Sequence, residues 1–383
     1  MPQEAFASSL VGSIGTRAVE HRHARAGRAS EEDSGRRRQP LNSPKTCAIV
    51  RRVSNDPFSD VLRLTEAKAV ISGSIAAGGA WALHFAPPRM LKFTALAKGS
   101  CWLRVDGQRK AVRMEQGDVF LLSGRDGFVL ASSLTKRPID AHRVIGNKGR
   151  TVTQIGDGSE CVLLAGMVPL HPSSGALLTD VLPALVHVRA ASPQAAALRW
   201  VVEQILEERR STLPGASIAS AQLAQLMFVQ VLRAHLASSG TLPSGWLRAI
   251  SDDRITPALR LMHGDPGRAW RLGELAKAAA MSRTSFAVHF KAVAGVAPLA
   301  YLTEWRMRLA QRTLREEDAT VFQIAASLGY MSESAFSNAF KRVTGTAPRN
   351  YRNASRRLEL SPHDAVDLEV GPRDTAKSRA ASA

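Results

Sequence analysis

The chain has 383 residues, 45% of them hydrophobic, which is too long for one ordinary domain and apolar enough for two or three cores. Its formal charge of +18 and pI near 10.8 favour polyanionic partners over acidic or membrane-spanning roles. Three widely spaced cysteines, Cys47, Cys101 and Cys161, exclude a disulfide framework and a Cys-x-x-Cys zinc site and suit a reducing, cytoplasmic setting.

In chain order, residues 1–54 are rich in Arg, Ser, Gly and Ala, with ten Lys and Arg against five Asp and Glu over residues 1–52. They read as a disordered basic extension. Glu4 and the lack of a basic run before the first apolar stretch argue against a secretory signal. From Asp56 to about Val168 the pattern is β: LKFTALAKG, SCWLRVDGQ, KAVRMEQGDVFLLSG and GFVLASS are short apolar runs cut by turn residues. Residues 101–105, Asp106-Gly107 and residues 111–114 spell a hairpin with a tight Asp-Gly turn. The uncharged stretch 69–86 contains three Gly, two Ser and His84, so it predicts strands and turns, not a membrane span. Turn signals every 8–12 residues or so predict a small sandwich or barrel.

Residues 192–238 change to helical period. Ser192-Pro193 reads as a helix start, with Leu198, Val201, Val202, Ile205 and Leu206 on one face. After Leu213-Pro214-Gly215, Leu223, Leu226, Met227, Val231 and Leu236 define a second helix. The pair reads as a helical hairpin that either packs on the β part or makes a dimer.

The last hundred residues hold a repeat. MSRTSFAVHFKAVAGVAPLAY from Met281 recurs as MSESAFSNAFKRVTGTAPRNY from Met331, at an offset of 50; upstream the offset is 49, with Leu275-Ala276 matching Ile324-Ala325 and Ala280 matching Gly329. Each copy reads as helix, tight turn, helix. Leu272, Leu275, Ala276 and Ala279 line the first helix, Ser282 caps the second, Phe286, Phe290 and Val293 face inward, and Gly295 ends it. The second copy repeats this with Ile324, Ala325, Leu328, Ser332, Phe336, Phe340, Val343 and Gly345. One long helix from Pro298 to Leu314 joins the copies, so two units and a linker replace the continuous stack a solenoid needs.

This segment, roughly residues 252–352, resembles the AraC/XylS-type DNA-binding domain, most specifically in YLTEWRMRLAQRTL and GYMSESAFSNAFKRVTGTAPRNYR. GSCWLRVDG, EQGDVFLLSG, His171-Pro172 and LPALVHV are similar to the cupin-type sensor often joined to it. The resemblance implies an α+β multidomain regulator. A cupin-like β-sandwich or barrel with a helical hairpin fills residues 55–240. An all-α, seven-helix double helix-turn-helix domain follows at residues 250–353, with a disordered tail at 354–383. It also implies double-stranded DNA as partner, a homodimer, and RNA polymerase and a small-molecule effector as further candidate partners.

The outward positions of the recognition helices are Arg283, Thr284, Ala287, Val288 and Lys291 in the first copy, and Glu333, Ser334, Ser337, Asn338 and Lys341 in the second. Asn338 suits adenine, Arg283 guanine or phosphate, and Val288 a thymine methyl, while Lys291, Lys341, Arg342 and Arg349 suit phosphate. Members of the family often carry Arg where Val288 and Asn338 stand here, so their base preferences do not transfer. A sequence-neutral architectural DNA binder is one alternative. Another is a metal-dependent cupin enzyme, which needs clustered His and Glu ligands. Here Phe128 stands where a ligand would help, and His84, His142, His171 and His187 are scattered, so neither catalysis, metal nor cofactor is expected. Cys101, between Ser100 and Trp102 in a predicted strand, is either an inert core thiol or a redox sensor.

Overall fold

The computed structural model describes residues 56–88, 90–145, 152–171, 174–211, 213–238 and 242–359. The extension predicted at 1–54 and the predicted tail from residue 360 onward lie outside the described residues.

The described chain opens with a helix, α1 (Pro57–Leu64), where a β region was expected. The local reason is Asp56-Pro57. The Asp56 carboxylate accepts from the Phe58 amide, and Pro57 sits in the first turn, where a missing N–H costs nothing. Strands β1 (Val70–Ala77), β2 (Ala82–Phe85), β3 (Leu91–Lys98), β4 (Ser100–Val105), β5 (Val112–Glu115), β6 (Val119–Leu122), β7 (Phe128–Ala131) and β8 (Ile139–Asp140) follow. Next come α2 (Ala141–Ile145), β9 (Val152–Ile155), β10 (Cys161–Val168), α3 (Ala176–Thr179) and β11 (Leu185–Val188). They form a six-stranded sheet, ordered β11-β6-β3-β10-β1-β9, and a five-stranded sheet, ordered β5-β4-β7-β2-β8. The Asp106-Gly107 hairpin is present, with Leu103 opposite Val112 and Gly107 at φ 78°.

Between the sheets lie Leu83, Leu103, Met114, Phe120, Phe128 and Leu163. The outer face of the larger sheet is covered as well, so β6 is buried at every position and loses the alternation of a one-sided strand. Its cover is α4 (Ala195–Arg210) and α5 (Ala216–Ser238). Leu198, Val201, Val202 and Ile205 are buried, as their spacing predicts. The first helix begins at Ala195, after a turn in which the Ala195 amide bonds to the Ser192 carbonyl. On α5 the prediction needs correcting: Leu226 is exposed, and Phe228 and Leu232 fill the core beside Met227 and Val231. That helix is apolar nearly all round, so periodicity alone does not select its inner face.

The remaining helices are α6 (Trp246–Ile250), α7 (Thr256–Gly264), α8 (Leu272–Ala278), α9 (Arg283–Ala294), α10 (Pro298–Glu316), α11 (Val321–Ser327), α12 (Glu333–Thr344) and α13 (Pro348–Glu359). Residues 354–359, placed with the tail from sequence, continue α13. Arg352 donates to the Ala319 carbonyl, Arg356 pairs with Asp318, and the Ser355 hydroxyl donates to the Tyr351 carbonyl. One apolar cluster runs without a break from β3 and β6 through α4 and α5 into Ile255, Met262, Trp305 and Phe340.

Candidate nucleic-acid interface

Each helix-turn-helix is assembled by short-range bonds. Ser282 accepts from the Ser285 amide and Ser332 from the Ala335 amide, so both recognition helices, α9 and α12, begin on a side-chain cap. Both end at a left-handed glycine, Gly295 and Gly345, whose amides close on Lys291 and Lys341. Phe286, Phe290, Phe336 and Phe340 are fully buried.

The turns show where the two offsets meet. The Met281 amide bonds to the Ala276 carbonyl, and the Tyr330 amide bonds to the Ala325 carbonyl. Tyr330 therefore takes the structural place of Met281, packing edge-on against Phe336 at 5.5 Å. Met331, its match by sequence, is the added residue and is 98% exposed. The position before each is left-handed, at φ 52° for Ala280 and 79° for Gly329. Only the second requires glycine, because a Cβ there would lie 2.0 Å from the Gly267 carbonyl oxygen.

Arg283, Thr284, Val288 and Lys291 are exposed on α9, with Ala287 half-buried. On α12, Ser334, Asn338, Lys341 and Arg342 are exposed, while Glu333 and Ser337 are half-buried. Arg349 comes from α13 and pairs with Glu333 at 3.4 Å, which brings one cation and the one acidic residue of that face together. Val343, expected inside, is 44% exposed. Its counterpart Val293 is covered by α6, where the Gly245 amide bonds to the Val293 carbonyl, whereas α12 packs on α10, α11 and α13. Phe322, on α11, is also exposed at 61%.

Two positioning contacts escaped sequence reasoning because their partners are distant in the chain. His289, on the inner flank of α9, binds Asp252 at 2.9 Å. His263 on α7 is completely buried. Its Nδ1 lies 3.3 Å from the Asp60 carboxylate of α1, its Nε2 lies 2.9 Å from the Tyr301 hydroxyl of α10, and its ring stacks on Trp305 at 3.9 Å. Burial pushes the imidazole below and the Tyr301 phenol above their ordinary values. The neutral ring therefore donates from Nδ1 to Asp60 and accepts the Tyr301 proton at Nε2. Further along α10, Arg315 pairs with Glu66 at 2.6 Å and donates to the Tyr351 hydroxyl. Residues 56–66 are thus bound into the helical scaffold that carries both recognition helices.

A pH dependence follows. The unfolded chain binds a proton at residue 263 more readily than the folded chain, so stability holds above the ordinary imidazole value of about 6.5 and falls below it. His235, on α5, is pushed down by burial too and adds to the slope. Melting temperatures across this window should fall less in a His263→Gln variant than in the parent. Equal slopes would remove His263 from the account.

In the β part, Phe128 is fully buried and stacks on Phe85 at 4.6 Å. His84 pairs with Asp106 and His187 with Asp118, in different sheets. Among the described residues, no three His, Cys, Asp or Glu side chains are grouped as metal ligands would be.

Comparison with known proteins agrees with this architecture. A family model described as Cupin matches residues 56–237, and one described as Helix-turn-helix domain matches residues 275–354. A putative AraC-like transcription regulator of Streptomyces antibioticus is 40% identical over 297 residues, covering 78% of this chain and 98% of that one. The HTH-type transcriptional regulator AlkR of Acinetobacter baylyi is 28% identical, covering 72% of this chain and 92% of its own. Among solved structures, the DNA-binding domain of the global transcriptional factor AdpA, in complex with a target DNA, matches 28% of this chain and 98% of that one at 30% identity, with a TM-score of 0.28. With a cupin domain followed by two capped helix-turn-helix units, and 40% identity along nearly the whole of an AraC-like relative, the chain belongs to the AraC-like family of DNA-binding transcription regulators.

Proposed function

We propose that α9 and α12 enter successive major grooves on one face of the DNA, about 34 Å apart, and read an asymmetric site. The observation that carries this is a pair of recognition helices with the same caps and buried phenylalanines but different outward residues. Residues 250–353 do the reading, with Arg283, Thr284, Ala287, Val288 and Lys291 at one half-site and Glu333, Ser334, Ser337 and Asn338 at the other. Lys291, Lys341, Arg342 and Arg349 hold phosphates, and Glu333 orients Arg349.

Asn338→Ala or Arg283→Ala should relax preference at one base position and cost about 1–3 kcal/mol. Lys341→Ala should weaken binding to all sequences and reduce the salt slope by about one unit. Binding to a randomised site library at several salt concentrations separates the two. A uniform loss with Asn338→Ala would mean that α12 lies differently in the groove, and equal affinity of the parent for every sequence would favour the architectural reading.

The sensor, residues 55–240, acts as a regulatory and dimerising part with no catalytic role, in a cytoplasmic protein that meets RNA polymerase at its promoters. A cleft of about 320 Å³ between β3 and α4 is lined by Ala95, Leu96, Ala97, Val202 and Leu206, with Arg199 and Glu203 at hand. That lining suits a small organic effector. Trp200, Ile218 and Leu226 leave large apolar side chains in water on the hairpin, 52%, 69% and 36% exposed. A second copy of the hairpin would cover them. Sedimentation of the full chain should show a dimer at micromolar concentration and a monomer for Trp200→Glu with Ile218→Glu. A parent that stays monomeric would overturn the dimer.

A further inference from the structure

Two thiols from opposite sheets meet at one corner of the sandwich. At Gly99, φ 80°, the chain leaves β3 in the larger sheet and enters β4 in the smaller. This corner lies so close to β10 that a Cβ on Gly99 would stand 3.3 Å from the Cys161 Cα. Cys101 is the second residue of β4 and points inward with Leu103 and Val105. Cys161 opens β10 and points into the same core with Leu163. Both are buried and reduced, and their side chains share a hydrogen bond.

That contact makes the two sulfurs unequal. Hydrogen-bond donation from Cys101 lowers the Cys161 thiol below its ordinary value. The same bond, with burial and the Asp118 carboxylate, raises Cys101 and keeps it protonated. Cys161 directly follows exposed Ser159 and Glu160, so the backbone that leads into it lies at the rim of the sandwich while its side chain is buried.

We propose that Cys101 and Cys161 are a peroxide-oxidised dithiol that closes into an intrachain disulfide linking the two sheets. The Cys161 thiolate attacks hydrogen peroxide, the O–O bond breaks, and Cys161 becomes a sulfenic acid as hydroxide leaves. Cys101 sulfur then attacks the Cys161 sulfur, the S–O bond breaks, and the Cys101 proton leaves with the departing oxygen as water. Two thiols are oxidised, one peroxide is reduced, and the products are one disulfide and two waters. The link would tie β4 to β10, which pairs with β1 and β3 near the centre of the larger sheet. That sheet carries α4 and α5 and joins the core of the DNA-binding helices.

The test is a peptide map of the native full-length chain after hydrogen peroxide, with remaining thiols blocked in denaturant. The expected product joins the peptides containing residues 101 and 161, is lighter by two hydrogens than the reduced pair, and reverts with dithiothreitol. Free thiols should fall from three to one, the survivor being Cys47. Cys161→Ser should abolish the link, and Cys101→Ser should leave a Cys161 sulfenic acid that dimedone traps. A disulfide to Cys47, overoxidation of Cys161 with Cys101 still free, or no reaction until the chain is unfolded would each overturn the proposal. The parent map decides these outcomes without relying on how either variant folds.

Discussion

Phe336→Ala should cost about 3–5 kcal/mol and abolish binding at the second half-site. Phe336 is fully buried, contacts Tyr330 at 5.5 Å and Phe340 at 5.7 Å, and holds the inner face of α12. Removing its ring leaves a void that Tyr330 and Phe340 can fill only by moving, and α12 is too short to persist without packing. Chemical denaturation should report the stability loss, and footprinting should show protection retained only over the half contacted by α9. The matching Phe286→Ala should remove the other half. Two-sided protection by the Phe336→Ala chain would show that α12 does not depend on its inner face.

His263→Leu is the second large change, expected to cost about 3 kcal/mol, near the low end for a buried pair that loses one partner. The Asp60 side chain is 2% exposed, and the substitution removes the imidazole that lies 3.3 Å from its carboxylate. A buried carboxylate thereby loses a hydrogen-bond donor, and the Tyr301 hydroxyl loses its acceptor in a fully buried site. The double variant Asp60→Leu with His263→Leu removes both polar groups and should recover part of the loss. Denaturation of the four chains of that cycle gives the coupling between α1 and the helical scaffold. A coupling near zero would mean that α1 is held only by its apolar residues Val61 and Leu64. The same variants bear on regulation. Residues 56–66 lead directly into β1, and Gln225 of α5 accepts a hydrogen bond from the Ala69 amide at 2.8 Å, so movement in the sensor has a covalent route to α1 and from there, through the Glu66–Arg315 ion pair and His263, a non-covalent one to α10. Such a route transmits an effector only where the ligand favours one of two arrangements.

Features that depend on neighbours within a few residues are legible in the sequence itself. Ser282 and Ser332 as caps, Gly295 and Gly345 as stops, and phenylalanines four apart specify the recognition helices through bonds one turn long. Asp106-Gly107 specifies its hairpin in the same way. The repeat adds independent support, since the same local signals occur twice. Asp56-Pro57 was an equally local helix signal, and it was obscured by the β pattern that follows it.

What the tertiary structure decided is where residues far apart in sequence come together. No period links His263 to Asp60, Arg315 to Glu66 or Cys101 to Cys161, because those contacts arise only once sheets and helices have packed. Packing also chose the inner face of α5, where apolar residues surround the helix, and left Val343 in water because nothing equivalent to α6 covers it. It placed Tyr330, not Met331, in the site that Met281 fills, since a backbone bond to Ala325 outweighs matching letters in a sequence repeat. The recognition helices are therefore a local property of the chain, and their attachment to the sensor through α1 is a property of the folded whole.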